Sequence, residues 1–349
     1  MSPLPAPRLD HLSRLTGKAG VFEHASALDP NESHGCTTDD AARALILTTR
    51  WRPQTALTRR LSTTYLSFLA NAIDGRGRVR NRLDMDRGWV GPWSADAHGR
   101  AIWGLCVAAV EADSPLARDL AADRLERIAP LRDPSLRPWV YAGLGASCLL
   151  NSGHHHLIGT KIAQEVADRL PRPKPKGWMW PEPRLSYDNA RIPQSMLALG
   201  EVSGRDELVA DGLRLLTWLV AMEWWGGHFS FTPTGGRGPG ESPPAFDQQP
   251  LEATAMVDAC AEAWKVTGEN RWAELAQASA CWFVGLNDVG FPIYDSTTGA
   301  GHDGLRAGRI NANAGAESTI SALWALQQAR LFQSEQTGST NPAMNGRFP

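Results

Sequence analysis

Hydrophobic positions in this chain recur mostly at three- and four-residue intervals, the spacing that stacks apolar side chains along one face of a helix. The pattern predicts helices over 8–15, 37–51, 55–73, 95–112, 114–128, 134–150, 157–170, 189–201, 205–222, 250–266, 269–286 and 314–332. Over 37–51 the apolar stripe is Ala42, Leu45 and Ile46, and over 95–112 it is Ala101, Ile102, Leu105 and Ala108. By contrast, 114–128 has the charge-rich outer face of a surface helix. Strand signals are confined to 225–231 and 290–294, short enough to be hairpins in loops. The polar stretch from about Ser334 predicts a flexible tail.

The helices alternate in character. In five of six consecutive pairs, one helix opens on a polar string and is then strongly apolar, while its partner carries more charge along its length. The openings are Cys36-Thr37-Thr38-Asp39-Asp40-Ala41-Ala42-Arg43, Ser94-Ala95-Asp96-Ala97-His98-Gly99-Arg100, Ser186-Tyr187-Asp188-Asn189-Ala190-Arg191, Asp247-Gln248-Gln249-Pro250-Leu251-Glu252 and Asn311-Ala312-Asn313-Ala314-Gly315-Ala316-Glu317-Ser318. The segment near Asp133 is polar-poor. A helix apolar all round must be buried, and a charged one faces water. Six buried helices alternating with six outer ones predict an all-α fold, a single (α/α)6 barrel spanning 1–349. Successive inner helices run the same way, so the five polar strings gather at one mouth. Helix capping explains one or two acids per opening. It does not explain His98, Arg100, Arg191, Gln248 and Gln249.

Composition narrows the function. With 42% hydrophobic and 21% charged residues the chain is globular, and a net charge of −2 removes the electrostatic reason to expect a nucleic-acid partner. No run approaches the ~18 apolar residues of a membrane span, and no leader pattern opens the chain, so a cytoplasmic protein is expected. Cys36, Cys106, Cys148, Cys260 and Cys281 are odd in number and lack CxxC spacing, which reads as reduced core thiols. The anomaly is fourteen Trp against four Tyr. Trp103, Trp218, Trp264, Trp272, Trp282 and Trp324 lie in helical patterns and read as core. Trp89, Trp93, Trp178, Trp180, Trp224 and Trp225 lie in Gly/Pro-rich segments, where a flat apolar ring can stack on a sugar.

Carboxylates dominate the expected mouth: Asp39, Asp40, Asp96, Asp188, Asp247, Glu252, Asp303 and Glu317. The histidines are scattered, His154-His155-His156 reads as a surface loop, and neither HxH nor HExxH occurs, so no metal site is expected. No dinucleotide, P-loop or GxSxG motif is present, and no cofactor is expected. An acid-rich, Trp-lined cavity suits glycoside cleavage, which needs one protonated carboxyl and one ionised carboxyl. The expected pair is Glu252 as general acid and Asp40 as general base of an inverting hydrolysis, with Asp39 as the rival for Asp40 because neighbours on a helix point ~100° apart. Expected to contact an oligo- or polysaccharide are Asp39, Trp93, Asp96, His98, Arg100, Trp178, Tyr187, Asn189, Arg191, Trp225, Asp247, Gln248, Gln249, Asp303 and Glu317.

The strings 34–45, 96–101, 187–194, 246–253 and 313–319 resemble, in order, a bacterial family of six-hairpin glycosidase-like domains that often accompany glycosyltransferases. The chain departs from the family pattern at Ala41, where an Asn is usual, and at Ala95, where an acid is common. Within the family the strings look most like the hydrolases of methylmannose polysaccharide. That resemblance implies endo-hydrolysis of internal α-1,4-mannosidic bonds in an intracellular, largely methylated polymer. Three other readings stand beside it. Sugar epimerisation or elimination would use His98 or Tyr187 as a base. A non-catalytic subunit of a glycosyltransferase would bind the polymer without cleaving it. A terpenoid-type α-toroid lacks its DxDD string.

Overall fold

Hydroxyl side chains start several of the helices that periodicity predicts. Thr37 accepts the Asp40 amide ahead of α2 (Thr38–Arg50), Thr55 and Thr58 form a capping box on α3 (Ala56–Ala72), and Ser94 accepts the Ala97 amide ahead of α4 (Ala95–Glu111). The remaining helices are α1 (Asp10–Leu15), α5 (Pro115–Arg127), α6 (Leu136–Ser152), α7 (His156–Ala167), α8 (Arg191–Ser203), α9 (Asp206–Glu223), α10 (Pro250–Thr267), α11 (Asn270–Cys281) and α12 (Ala316–Ser339). This computed structural model describes residues 4–174 and 177–339, with side chains through Phe332.

Helices α2, α4, α6, α8, α10 and α12 each pack on the next, and α12 returns to α2, closing an inner ring. Helices α3, α5, α7, α9 and α11 pack outside, each on the inner helix before it. The hydrophobic pattern sorts them. Every residue of α4 from Ala97 to Ala109 is buried, whereas α5 buries only Ala121 and Leu125. The architecture is the expected all-α (α/α)6 barrel.

Small residues let the inner helices approach closely. A Cβ on Gly99 would fall 2.3 Å from the Pro138 carbonyl oxygen, so the α4–α6 contact runs backbone to backbone there. The sixth pair departs from the expected consecutive order. The outer partner of α12 is α1, so the barrel is closed by the two ends of the chain. His11 Nε2 hydrogen-bonds the Ala314 carbonyl at 2.9 Å, and the Arg8 amide donates to the Tyr294 hydroxyl at 2.9 Å.

Other departures are local. Helix α8 starts at Arg191, two residues later than expected, because Asp188 has φ +50° and turns the chain before the helix begins. Helix α11 stops at Cys281, and a 3-10 turn over Trp282–Val284 leads to Gly285 at φ +106°. Helix α12 runs past 332 to Ser339, and 340–349 of the expected tail lie outside the described residues. The expected hairpin at 225–231 pairs Trp224–Trp225 with His228–Phe229, and the one at 290–294 instead pairs Tyr294–Asp295 with Ala300–Gly301. Among the described residues no helix is long and apolar enough to cross a membrane.

Candidate active site

A cavity of about 660 Å³ opens where the N-termini of the inner helices meet. Helix α2 brings Asp39, Asp40 and Arg43 to it, and α4 brings Asp96 and Arg100. Asp133 and Ser135 come from the approach to α6, Tyr187 from the approach to α8, and Asp247 and Gln249 from the approach to α10. Asp303 and Glu317 complete the ring from the α12 side. A first helical turn directs its side chains toward the barrel end, so residues of that turn reach the mouth whichever wall they approach.

At the centre is a charged lattice. Arg43 donates to Asp40 Oδ1 at 2.9 Å and contacts Glu317 Oε2 at 2.9 Å, one guanidinium between two carboxylates. Thr37 Oγ1 donates to the other Asp40 oxygen at 2.9 Å. Arg100 Nε lies 3.4 Å from Asp39 Oδ1, and Arg100 Nη2 donates to the fully buried Asp188 at 2.8 Å. Burial pushes the Asp40 carboxyl up to about 7, Arg43 and Thr37 pulling against it and the Glu317 and Asp39 charges adding to it. Asp39 is also raised by burial, with Arg100 and Arg43 opposing. The expectation that only one of Asp39 and Asp40 faces inward is not met. Their angular separation aims them at different walls of the same cavity, Asp39 toward α4 and Asp40 toward Glu317. At the rim, the Tyr187 hydroxyl donates to Asp96, while Arg137 holds the Tyr187 carbonyl at 2.8 Å.

Several expected contacts lie elsewhere. Glu252 does not line the cavity. Its carboxylate accepts the Asp188 amide, the Asn189 amide at 3.1 Å and Asn189 Nδ2 at 3.0 Å, so it clamps the turn that starts α8. Burial and the neighbouring Glu223 and Asp188 charges push it up to about 8, against those N–H donors. Asn189 is therefore part of the clamp and not of the cavity surface. Arg191 is buried on Asp188 and Asp258 below the mouth. His98 turns away, its Nε2 on the Ala129 carbonyl at 2.9 Å, and burial lowers its pKa. Gln248 is buried against Asp288 and the Ala245 carbonyl.

The tryptophans are also displaced from the expected wall. Trp178 donates to the Glu182 carbonyl and packs edge-on against Trp218, and Trp93 packs edge-on near His98. Trp225 is about half exposed on its hairpin. Among the described residues no tryptophan lines the cavity, and its aromatic surface is Tyr187 with His24.

Sequence reasoning missed Glu23, His24, Asn81, Asp133, Ser135 and Thr234, all in the lining. Most sit in loops, outside the inner-helix openings that carry the pattern. One signal existed. Gly315 lets the Glu23 backbone come close, since a Cβ there would lie 2.9 Å from the Glu23 carbonyl oxygen. Glu23, His24 and His34 each place a ligand atom within 4.8 Å of the others, the only such trio among the described residues. Arg82 Nη1 already supplies positive charge there, 2.5 Å from Glu23 Oε2.

No protein-family model and no curated protein matches this chain. Solved structures do. Cellobiose 2-epimerase from Bacillus thermoamylovorans superposes with a TM-score of 0.70 at 10% identity, over 93% of this chain and 96% of that one. The GH76 α-mannanase of Bacteroides thetaiotaomicron gives 0.67 at 12% identity, over 94% and 95%. A sugar epimerase from a ruminal bacterium gives 0.66 at 12% identity, over 91% and 94%. These likenesses establish the fold. The resemblance carried by the five strings has no sequence-level family behind it in these comparisons.

Proposed function

We propose that this chain is a glycoside hydrolase that cleaves internal α-mannosidic bonds of a polysaccharide, with Asp39 and Asp40 as the reacting pair. The observation that carries the reading is the adjacency of these two carboxyls in one cavity, in unlike surroundings. Asp40 is almost wholly buried and shares the Arg43 guanidinium with Glu317, so protonating it relieves a surplus of negative charge. With its carboxyl near 7, a substantial fraction is protonated at neutral pH, which suits the general acid. Asp39 is more open, with 23% of its side chain exposed, and Arg100 and Arg43 oppose the rise that burial gives its carboxyl, which makes it the member of the pair suited to the ionised role of activating water or attacking the sugar. Asp40 thus takes the acid role first expected of Glu252, and Asp39 takes the base role first expected of Asp40.

The substrate class is supported by the lining and by the resemblance of the five strings to six-hairpin glycosidase-like domains, above all to hydrolases of methylmannose polysaccharide. The remaining acids, Arg43, Arg100, Asn81 and Gln249 offer hydrogen bonds to sugar hydroxyls. The polar part of the lining is the larger, with Tyr187, Pro250 and Leu251 among its apolar part, which suits a hydroxyl-bearing α-mannan unit at the reacting position. The α-mannanase of the same fold supports the same class. The case for inversion relied on acids facing each other across the mouth. With both on one helix start, the carboxyl separation in the substrate complex decides it, ~6.5–9.5 Å for inversion and ~5–5.5 Å for retention.

A second reading, epimerisation, draws on His24 in the lining and on the epimerases of the same fold. Product analysis separates the two. On a panel of α-mannans and α-glucans, methylated and not, hydrolysis yields new reducing ends and shorter chains. Epimerisation yields an isomer of unchanged length. New isomers without chain shortening overturn the hydrolase reading, and the first anomer released sets the stereochemistry.

A further inference from the structure

The cavity is lined mostly by hydrogen-bonding groups, with Tyr187 and His24 its aromatic rings among the described residues, while exposed aromatic rings stand outside it at the same end of the barrel. Outer helices run opposite to inner ones, so the C-termini of α9 at Glu223 and α11 at Cys281 lie at the cavity end. The segments that follow them carry Trp224, Trp225 and Phe291, exposed by 39%, 49% and 55%.

These rings are mounted on a stiff base. Gly226 and Gly227, at φ +60° and +92°, form the two-residue turn that a tight hairpin requires. The register sets Trp225 opposite His228 and Trp224 opposite Phe229. Trp224 packs edge-on against buried Phe229 at 5.2 Å between centroids, and Phe229 stacks on buried Phe231 at 5.2 Å. Asp288 then ties three pieces together. It accepts from His228 Nε2 at 2.9 Å, from Ser230 Oγ at 2.6 Å and from Gln248 Nε2 at 2.5 Å. Gln248 stands between Asp247 and Gln249, both in the cavity wall. One hydrogen-bonded unit therefore joins the hairpin, the 286–291 loop and the rim of the cavity.

We infer that the exposed rings of Trp225 and Phe291, on the hairpin and loop that Asp288 ties together, make up a second carbohydrate site, an outer platform that holds the continuing pyranose chain of a polysaccharide whose reacting unit sits in the cavity. The inference rests on the hydrolase reading and deepens it, since a platform outside the cavity serves only a polymer. Flat rings beside a polar group, here His228, match the two faces of a pyranose, apolar C–H and hydroxyl.

The test compares wild type, Trp225→Ala, Phe291→Ala, the double variant and Trp225→Phe on long α-mannan and on a mannotriose-length substrate. For the double variant the KM on the long chain should rise about tenfold with kcat unchanged. Kinetics on the short substrate should stay at wild-type values, and Trp225→Phe should keep most of the long-chain binding. Unchanged long-chain KM in the double variant overturns the platform while leaving the hydrolase reading intact, and so does an equal loss on the short substrate. Failure of wild type to bind or cleave any glycan overturns the hydrolase reading itself, and the platform with it.

Discussion

Arg43 serves two carboxylates, and that shortage of positive charge governs the chemistry proposed for the mouth. Asp39→Asn and Asp40→Asn should each lower kcat by at least ~10²-fold with the fold intact, measured by steady-state kinetics and circular dichroism. A general acid works only while protonated, so kcat/KM should fall as pH rises through about 7, the Asp40 value. The Glu317 charge is one of the causes that raise Asp40. Glu317→Gln removes it and should move that alkaline limb to lower pH; a limb that stays in place takes Asp40 out of the acid role. Glu252 acts through others. It holds the Asp188 turn, Asp188 holds Arg100, and Arg100 faces Asp39. In Glu252→Gln an amide N–H would meet the N–H donors of Asp188 and Asn189, at a cost of about 1–3 kcal/mol in unfolding free energy. Unchanged thermal and urea midpoints would show that the clamp is dispensable.

Elements meet where side chains are absent. The α4–α6 contact depends on Gly99, whose added Cβ would press on Pro138 backbone atoms, a neighbour that cannot rotate away. Gly99→Ala should therefore destabilise by about 1–3 kcal/mol, read as a lower denaturant midpoint, and should disturb His98 and Arg100 on the same turn. Helix existence and the inner or outer character of each helix were legible from periodicity, because burial all round leaves a long apolar signature. Helix ends were less so. Asp188 adopts a left-handed conformation held by Arg191 three residues on and by Arg100, Tyr141 and the Glu252 clamp, which come from distant segments.

At the scale of the whole molecule, the barrel is a ring whose seam is its two ends. His11 on α1 bonds the Ala314 carbonyl ahead of α12, and burial lowers its pKa from 6.5, with Arg14 and His302 adding to the effect and the carbonyl and Asp303 opposing it. A lowered histidine favours the neutral form in the folded state. The stability it contributes is present above about 6.5 and is lost as pH falls through that value toward the folded pKa. The raised Asp40 and Glu252 carboxyls act in the opposite sense over the same range, so the His11 contribution is read as a difference: the thermal midpoint of wild type should fall relative to that of His11→Gln between pH 7 and pH 5. His98, also lowered, acts in the same sense as His11 and is unchanged in the variant. A midpoint difference between the two proteins that stays constant with pH would take His11 out of this role.

Local spacing was enough to determine the helices, their alternation and the clustering of five polar openings, because each depends on residues a few positions apart. It also identified Asp39, Asp40, Asp96, Arg100, Tyr187, Asp247, Gln249, Asp303 and Glu317, all of which line the cavity. Which acids face a substrate was decided only by the tertiary structure. Glu252 and Asp40 look alike as acids in first turns, yet one meets the amides of a neighbouring helix start and the other meets the cavity and Arg43. The tryptophans divide the same way. Loop position marked Trp178, Trp180 and Trp225 equally, and packing from other elements covered the first two while leaving the third on an open hairpin. Spacing along a helix fixes which side chains share a face; what that face meets depends on segments tens to hundreds of residues away.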